Sequence, residues 1–181
     1  YRGNQWIAGQ LQLDWNNKNA YDSGESSLPN VKLTLTKRDG NVIGTTTTAS
    51  DGTYQFANLS NGSYKISIQT GTLPASDIAP TYDPDGAGTP NLATVALSGS
   101  SLTNQNFGYR GTGLIGDLVW YDQDANGSQN GGELGAATAT VKLTWPGWDN
   151  ILGNSDDYST QTSTNSIGVY TFTGLPASSY K

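Results

Sequence analysis

The chain has 181 residues, nine basic and fifteen acidic side chains, a formal net charge of −6, and no Cys, His or Met. That acidity excludes the basic footprint of a nucleic-acid binder. Without Cys and His it has no disulfides, no thiolate or imidazole metal ligands and none of the usual nucleophile–base pairs.

Hydrophobic residues make up 34% of the chain and fall in short alternating runs, while the polar remainder is Gly, Asn, Ser and Thr rather than Lys and Glu. Such a mix favours strands and turns over helices and disorder. No run approaches the roughly 18 apolar residues of a membrane span, and no secretory signal opens the chain. Tyr1-Arg2-Gly3 reads as the tail of a preceding repeat, so the sequence is expected to be a window on a longer protein.

From Ile7 to Leu13 the alternation sets Ile7, Gly9, Leu11 and Leu13 on one side and Trp6, Gln10 and Gln12 on the other. An acidic loop, Asp14 to Glu25, follows. Val31, Leu33 and Leu35 alternate with Lys32, Thr34 and Thr36, the period of a half-buried strand. Asp39-Gly40 is a hairpin turn leading to a strand from Val42 to Thr48. Asp51-Gly52 precedes Tyr54 and Phe56, and Asn61-Gly62 precedes Tyr64, Ile66 and Ile68. A Pro-rich loop from Pro74 to Pro90 leads to Leu92, Val95 and Leu97, then to Phe107 and Tyr109. Seven or so short strands with turn signals between them predict an all-β, antiparallel β-sandwich.

The pattern then restarts. Asp14 and Asp122 are 108 residues apart, as are Glu25 and Glu133, the only two glutamates, and Tyr1-Arg2-Gly3 recurs as Tyr109-Arg110-Gly111 at the same interval. Val141-Lys142-Leu143-Thr144 echoes Val31-Lys32-Leu33-Thr34 at 110, and Val169-Tyr170-Thr171-Phe172 echoes Thr53-Tyr54-Gln55-Phe56 at 116, which places an insertion around Pro146 to Asp157. The predicted organisation is a tail at 1–3, a first sandwich repeat at 4–111, and a second at 112–181 that lacks its last two strands or so. Either the chain is a fragment there, or a partner strand completes the sheet. The joint from Tyr109 to Leu114 is too short for a flexible linker.

The acidic loops carry the chemistry. Counting from Asp122, oxygen-bearing side chains stand at positions 1 (Asp122), 3 (Asp124), 5 (Asn126), 9 (Asn130) and 12 (Glu133), with Gly127 at 6 and the Ser128 carbonyl at 7. This is the spacing of a twelve-residue calcium loop, in which a tight turn aims alternate oxygens at a cation that wants six to eight of them. In the first loop Asp14, Asn16, Asp22 and Glu25 keep positions 1, 3, 9 and 12, with the Ala20 carbonyl at 7. Lys18 at position 5 cannot ligate a cation, and Asn19 replaces the glycine, so a weaker or altered site is expected. Asp83 and Asp85 in the Pro-rich loop, and Asp149, Asp156 and Asp157 in the insertion, are softer candidates. Asx-turns explain them equally well.

Ile115-Gly116-Asp117-Leu118-Val119-Trp120-Tyr121-Asp122, continuing to Glu133, resembles the calcium-binding B repeats of serine-aspartate-repeat surface adhesins. Asp51 to Phe56 and Leu59 to Tyr64 resemble later strands of that repeat and of the related Cna-B stalk domains, and Asn106 to Gly111 resembles the junction in arrays of them. The resemblance implies a prealbumin-like (Ig-like, Cna-B-type) sandwich in a bacterial cell-surface or secreted protein, with Ca2+ stiffening a stalk or filament of neighbouring repeats that serves adhesion or surface assembly. It also implies a ligand role for Asp117, which Gly9 replaces in the first repeat. The Lys–Asn isopeptide of many Cna-B domains is not expected, because Lys32 alternates outward and Gln69 stands where the promoting acid belongs; an intact mass short by one ammonia would overturn this.

Two other readings compete with a structural role. Trp6, Trp15, Trp120, Trp145 and Trp148 could form an aromatic platform for a glycan or protein, above all Trp145 and Trp148 in the insertion; alternatively Trp6 and Trp120 fill the core or the junction. An enzyme is excluded by the same arithmetic that defines the loops: both glutamates are committed there, leaving no paired carboxylates for glycoside chemistry.

Overall fold

The computed structural model describes residues 3–86 and 88–181. The tail assigned to a preceding repeat lies, at Tyr1 and Arg2, outside the described residues. The chain forms two compact units, Tyr1–Gly111 and Thr112–Lys181.

The first unit is built on β1 (Gln5–Leu13), β2 (Lys32–Lys37), β3 (Val42–Thr47), β4 (Thr53–Leu59), β5 (Gly62–Ile68), β6 (Ile78–Tyr82), β7 (Leu92–Leu97) and β8 (Phe107–Gly111). They form two four-stranded sheets, ordered β4-β1-β8-β6 and β3-β2-β5-β7. Alternation decides which residues turn inward. Ile7, Leu11, Leu13, Tyr54, Phe56, Phe107 and Tyr109 of one sheet and Leu33, Leu35, Tyr64, Ile66, Ile68, Val95 and Leu97 of the other are buried. Burying each large side chain is worth about 1.5–3 kcal/mol, so this shared apolar layer is the main stabilising term. Lys32 is exposed on β2, and the Gln69 amide donates to Thr34 Oγ1 at 2.9 Å.

Two features of the first unit were not anticipated. The first is β6, which runs through the segment expected to be a Pro-rich loop. It pairs with β8 (Pro80↔Tyr109) and sits at a sheet edge, where the missing Pro80 N–H costs no ladder bond. The second is parallel pairing of β1 with β8 (Leu11↔Phe107, Leu13↔Tyr109), where the turn signals predict antiparallel pairing. It carries the carbonyl of Tyr109 to the start of the first acidic loop.

The second unit contains β9 (Gly113–Leu118), β10 (Thr140–Trp145), β11 (Tyr158–Ser163) and β12 (Val169–Leu175), with β9 on β12 and β10 on β11. These match β1 to β4 in order. Lys181 exchanges backbone hydrogen bonds with Thr144 (2.7 and 3.0 Å), as β5 does with β2. The insertion runs between β10 and β11, from Pro146 to Asp157. Leu143, Trp145, Phe172 and Leu175 are the large buried residues here.

Candidate metal centre

Both acidic loops sit in the same place, leaving the first strand of each unit. In the second unit the Tyr121 N–H donates to the Leu134 carbonyl at 3.0 Å, closing the neck of loop 122–133; in the first, Leu13 N–H to Ser26 carbonyl (2.7 Å) closes loop 14–25 at the equivalent point.

Inside loop 122–133 the backbone winds around the carboxylates. Asp122 Oδ1 accepts the Asn126 N–H at 3.2 Å, and Asp122 Oδ2 accepts the Gly127 N–H at 2.9 Å. Asp124 Oδ1 accepts the Asn126 N–H at 3.2 Å, and Asn126 Oδ1 accepts the Ser128 N–H at 2.7 Å. Glu133 reaches back across the loop, taking the Gln123 N–H on Oε1 (2.8 Å) and the Asn130 N–H on Oε2 (2.9 Å). The turn needs left-handed backbone at Ala125 (φ 60°) and at Gly127 (φ 74°), which glycine supplies without strain.

The outcome is convergence. Carboxylate oxygens of Asp122, Asp124 and Glu133 lie within 4.8 Å of one another, and among the described residues this is the group of acids so gathered. Asn126 and Asn130 turn their amides to Asp124 Oδ2 (2.8 and 3.0 Å), and each carries an Oδ1 that a half-turn would present in the same direction. Three unneutralised carboxylates at such separation repel one another, and oxygen-only donors suit a hard divalent cation. Asp117 stands apart, exposed on β9, its Oδ1 accepting the Leu118 N–H at 2.9 Å.

Loop 14–25 repeats this scaffold with other side chains. Asp14, fully buried, takes the Lys18 N–H on Oδ1 (3.0 Å) and the Asn19 N–H on Oδ2 (3.1 Å). Asn17 and Asn19 (both φ 57°) supply the two left-handed residues. Asn16 Nδ2 and Lys18 Nζ both reach Asp22 Oδ2 at 2.8 Å. Those bonds hold the Asp22 carboxyl below its ordinary range, and the Asp22 hydrogen bond and charge raise Lys18. Glu25 is pushed up, mainly by burial and then by the Asp14 and Asp22 charges.

Two residues that build the first loop are not legible from the strand period. Gln12, placed outward by alternation, is buried and donates to Glu25 Oε2. Arg110, part of the recurring Tyr-Arg-Gly motif, donates to the carbonyls of Asp14 (3.1 Å) and Trp15 (2.6 Å). Its recurrence was the available signal.

The softer acidic turns act as hydrogen-bond acceptors for their own backbone. Asp83 Oδ1 takes the Asp85 N–H (3.2 Å), and Asp85 Oδ2 takes the Thr94 N–H (2.7 Å). Burial and then the neighbouring Asp85 push the Asp83 carboxyl up to about 6. A carboxyl raised on folding contributes stability that is complete below its unfolded pKa and lost as pH rises through the folded one. Between pH 4 and 6 wild type should therefore lose stability relative to Asp83→Asn as pH rises, measured as the difference between their urea midpoints; parallel profiles would refute the shift. In the insertion Asp149 takes the Ile151 N–H (2.8 Å) and the Asn154 amide (2.8 Å), Asp157 takes the Gly153 N–H (2.7 Å), and Asp156 lies against Gly147, where a Cβ would meet its Oδ2 at 1.9 Å.

Burial removes Trp145 from the exposed aromatic surface. Trp145, expected to be hard to bury, is 2% exposed at the end of β10, with Trp148 packed on it edge-to-face at 4.8 Å between ring centroids. The strand carries Trp145 inward by the same alternation that buries Leu143, so the insertion closes over it. Trp6, on the outward face of β1, is 41% exposed, whereas Trp15 is buried, its Nε1 donating to Ser26 Oγ at 3.0 Å.

Paired β-sandwich units, each opening its first strand into a twelve-residue acidic loop, define a class of tandem-repeat structural domain. The chain belongs to the SdrD B-like domain family, whose model matches residues 9–105 and 113–181, one stretch in each unit. That family is one of structural domains, not of enzymes. The chain is 34% identical to serine-aspartate repeat-containing protein F of Staphylococcus epidermidis over 92% of its length and 10% of that protein, and 31% identical to serine-aspartate repeat-containing protein E of Staphylococcus aureus over 93% and 14%. It therefore spans about a tenth of the curated relatives it matches. Among solved structures it is similar to the shaft pilin spaA from Lactobacillus rhamnosus GG (TM-score 0.44, 9% identity, 94% of this chain and 82% of that one) and to a streptococcal ancillary pilin (TM-score 0.40, 16% identity, 97% and 51%).

Proposed function

We propose that the chain is a calcium-stabilised structural repeat of an extracellular bacterial protein, holding one part of a surface stalk or filament in extended form. The observation that carries this is the convergence of Asp122, Asp124 and Glu133 within 4.8 Å on a loop wound as a cation-binding turn. Asp122, Asp124, Asn126, Asn130 and Glu133 would supply side-chain oxygens and Ser128 its carbonyl. A bound ion supplies the positive charge that lets these oxygens stay together. It binds only the folded loop, so it stabilises by about 2.7 kcal/mol at a hundredfold excess over Kd. Extracellular modules hold calcium at roughly 10⁻⁴–10⁻³ M, which ties folding to surroundings rich in the ion.

A structural role also follows from what the rest of the molecule offers. Along the chain a single residue, Thr112, separates β8 ending at Gly111 from β9 beginning at Gly113, a spacing suited to serial repeats of one polypeptide. Membership of a family of structural domains supports the same reading. Adhesion and surface assembly, with neighbouring repeats as the first partners, are the roles such a stalk would serve.

Thermal melting in excess calcium, in EDTA and in magnesium tests the reading. A calcium-specific rise of roughly 10–20 °C is expected, from about 4–8 °C per kcal/mol for a unit of this size. Superimposable melts in the three conditions would sink it.

A further inference from the structure

The two loops share one scaffold and differ in where positive charge comes from. At position 5, the N–H of Lys18 bonds Asp14 Oδ1 and Asn16 Oδ1 (both 3.0 Å), as the N–H of Asn126 bonds Asp122 Oδ1 and Asp124 Oδ1 (both 3.2 Å). At position 6, Asn19 and Gly127 each donate to the second oxygen of the leading aspartate (3.1 and 2.9 Å). Positions 3 and 9 are cross-linked in both loops with their chemistry exchanged: Asn16 to Asp22 (2.8 Å) in the first, Asn130 to Asp124 (3.0 Å) in the second. Into the first scaffold the chain inserts an ammonium, Lys18 Nζ, 2.8 Å from Asp22 Oδ2.

We propose that Lys18 is the resident cation of loop 14–25, so that the first unit holds its loop without a divalent ion. The family's calcium does not fit the first loop. Among the described residues Asp14, Asp22 and Glu25 do not form a converging group, whereas Asp122, Asp124 and Glu133 do. Backbone N–H and amide donors meet the carboxylates of both loops, and what the first loop adds is the Lys18 ammonium on Asp22 and the Gln12 amide on Glu25. An Asn at position 5 can turn its amide to present oxygen, but an ammonium has three donors and no acceptor. Its repulsion of a divalent ion a few ångströms away would weaken binding by at least about tenfold even at the dielectric of water. The Lys18 and Asp22 side chains are 65% and 38% exposed, so the pair adds little to stability by itself; what it does is occupy the site.

The inference is independent of calcium binding at loop 122–133, and calorimetric titration of the whole chain with Ca2+ up to about 10 mM, above the extracellular range, separates the two. Wild type should bind one ion, Glu133→Gln none, Lys18→Asn two, and the double variant one. A Glu133→Gln chain that still binds an ion, or a folded Lys18→Asn chain that gains none, overturns the inference. Glu133→Gln leaves the first loop intact, so it decides the matter even if Lys18→Asn fails to fold. Should wild type bind nothing and Lys18→Asn bind one ion, the inference stands and the reading of the second loop falls.

Discussion

Replacing Trp145 by alanine is expected to destabilise the second unit by about 3–5 kcal/mol, the range for deleting a large buried aromatic and leaving a partly collapsed cavity. Trp145 is 2% exposed in a unit, Thr112–Lys181, whose other large buried residues are few: Leu143, Phe172 and Leu175. Domains of that size have only a few kcal/mol of net stability in hand, so the loss takes most of it. Trp148→Ala should cost less, about 1 kcal/mol, since Trp148 is half-buried and packs edge-to-face on Trp145. Guanidinium unfolding followed by tryptophan fluorescence and far-ultraviolet dichroism would measure both. Equal, small effects would mean that Trp145 is a surface residue after all and would restore the aromatic platform as the place to look for a ligand.

That reversal shows what the sequence could and could not disclose. Strands and turns were legible because each rests on a local rule, period two in Val31 to Thr36 and the Asp-Gly and Asn-Gly turns, and the acidic spacing foretold that Asp122, Asp124 and Glu133 would converge. Trp145-Pro146-Gly147-Trp148 looked like a loop because Pro and Gly punctuate it. Yet Trp145 is the last residue of β10, and its inward side is set by Leu143 two residues earlier. Gln12 failed in the opposite sense. Its alternation points outward, but the loop that follows folds back over that face and buries it against Glu25. Long-range pairing is likewise invisible in a window of ten residues: β6 exists because β8 offers an edge, and β1 meets β8 in parallel across nearly the whole first unit.

Glu133→Gln is expected to reverse the order of stability between two buffers. The change keeps a side-chain oxygen able to accept the Gln123 or Asn130 N–H, which Glu133 takes at 2.8 and 2.9 Å, and removes one of three converging negative charges. In EDTA the variant should therefore melt no lower than wild type, because the repulsion it relieves is uncompensated there. Wild type in EDTA should also gain stability as NaCl is raised from low to about 0.1 M, where the Debye length falls to about 10 Å, and the variant should gain less. In saturating calcium the order inverts. Wild type acquires roughly 2.7 kcal/mol at a hundredfold excess over Kd, and the variant, without its bidentate carboxylate, acquires little of it. A purely structural Glu133 predicts instead the same deficit in both buffers. The crossing of the two melting curves thus assigns the charge to an ion rather than to the turn, and its absence would return loop 122–133 to an ordinary Asx-rich bend.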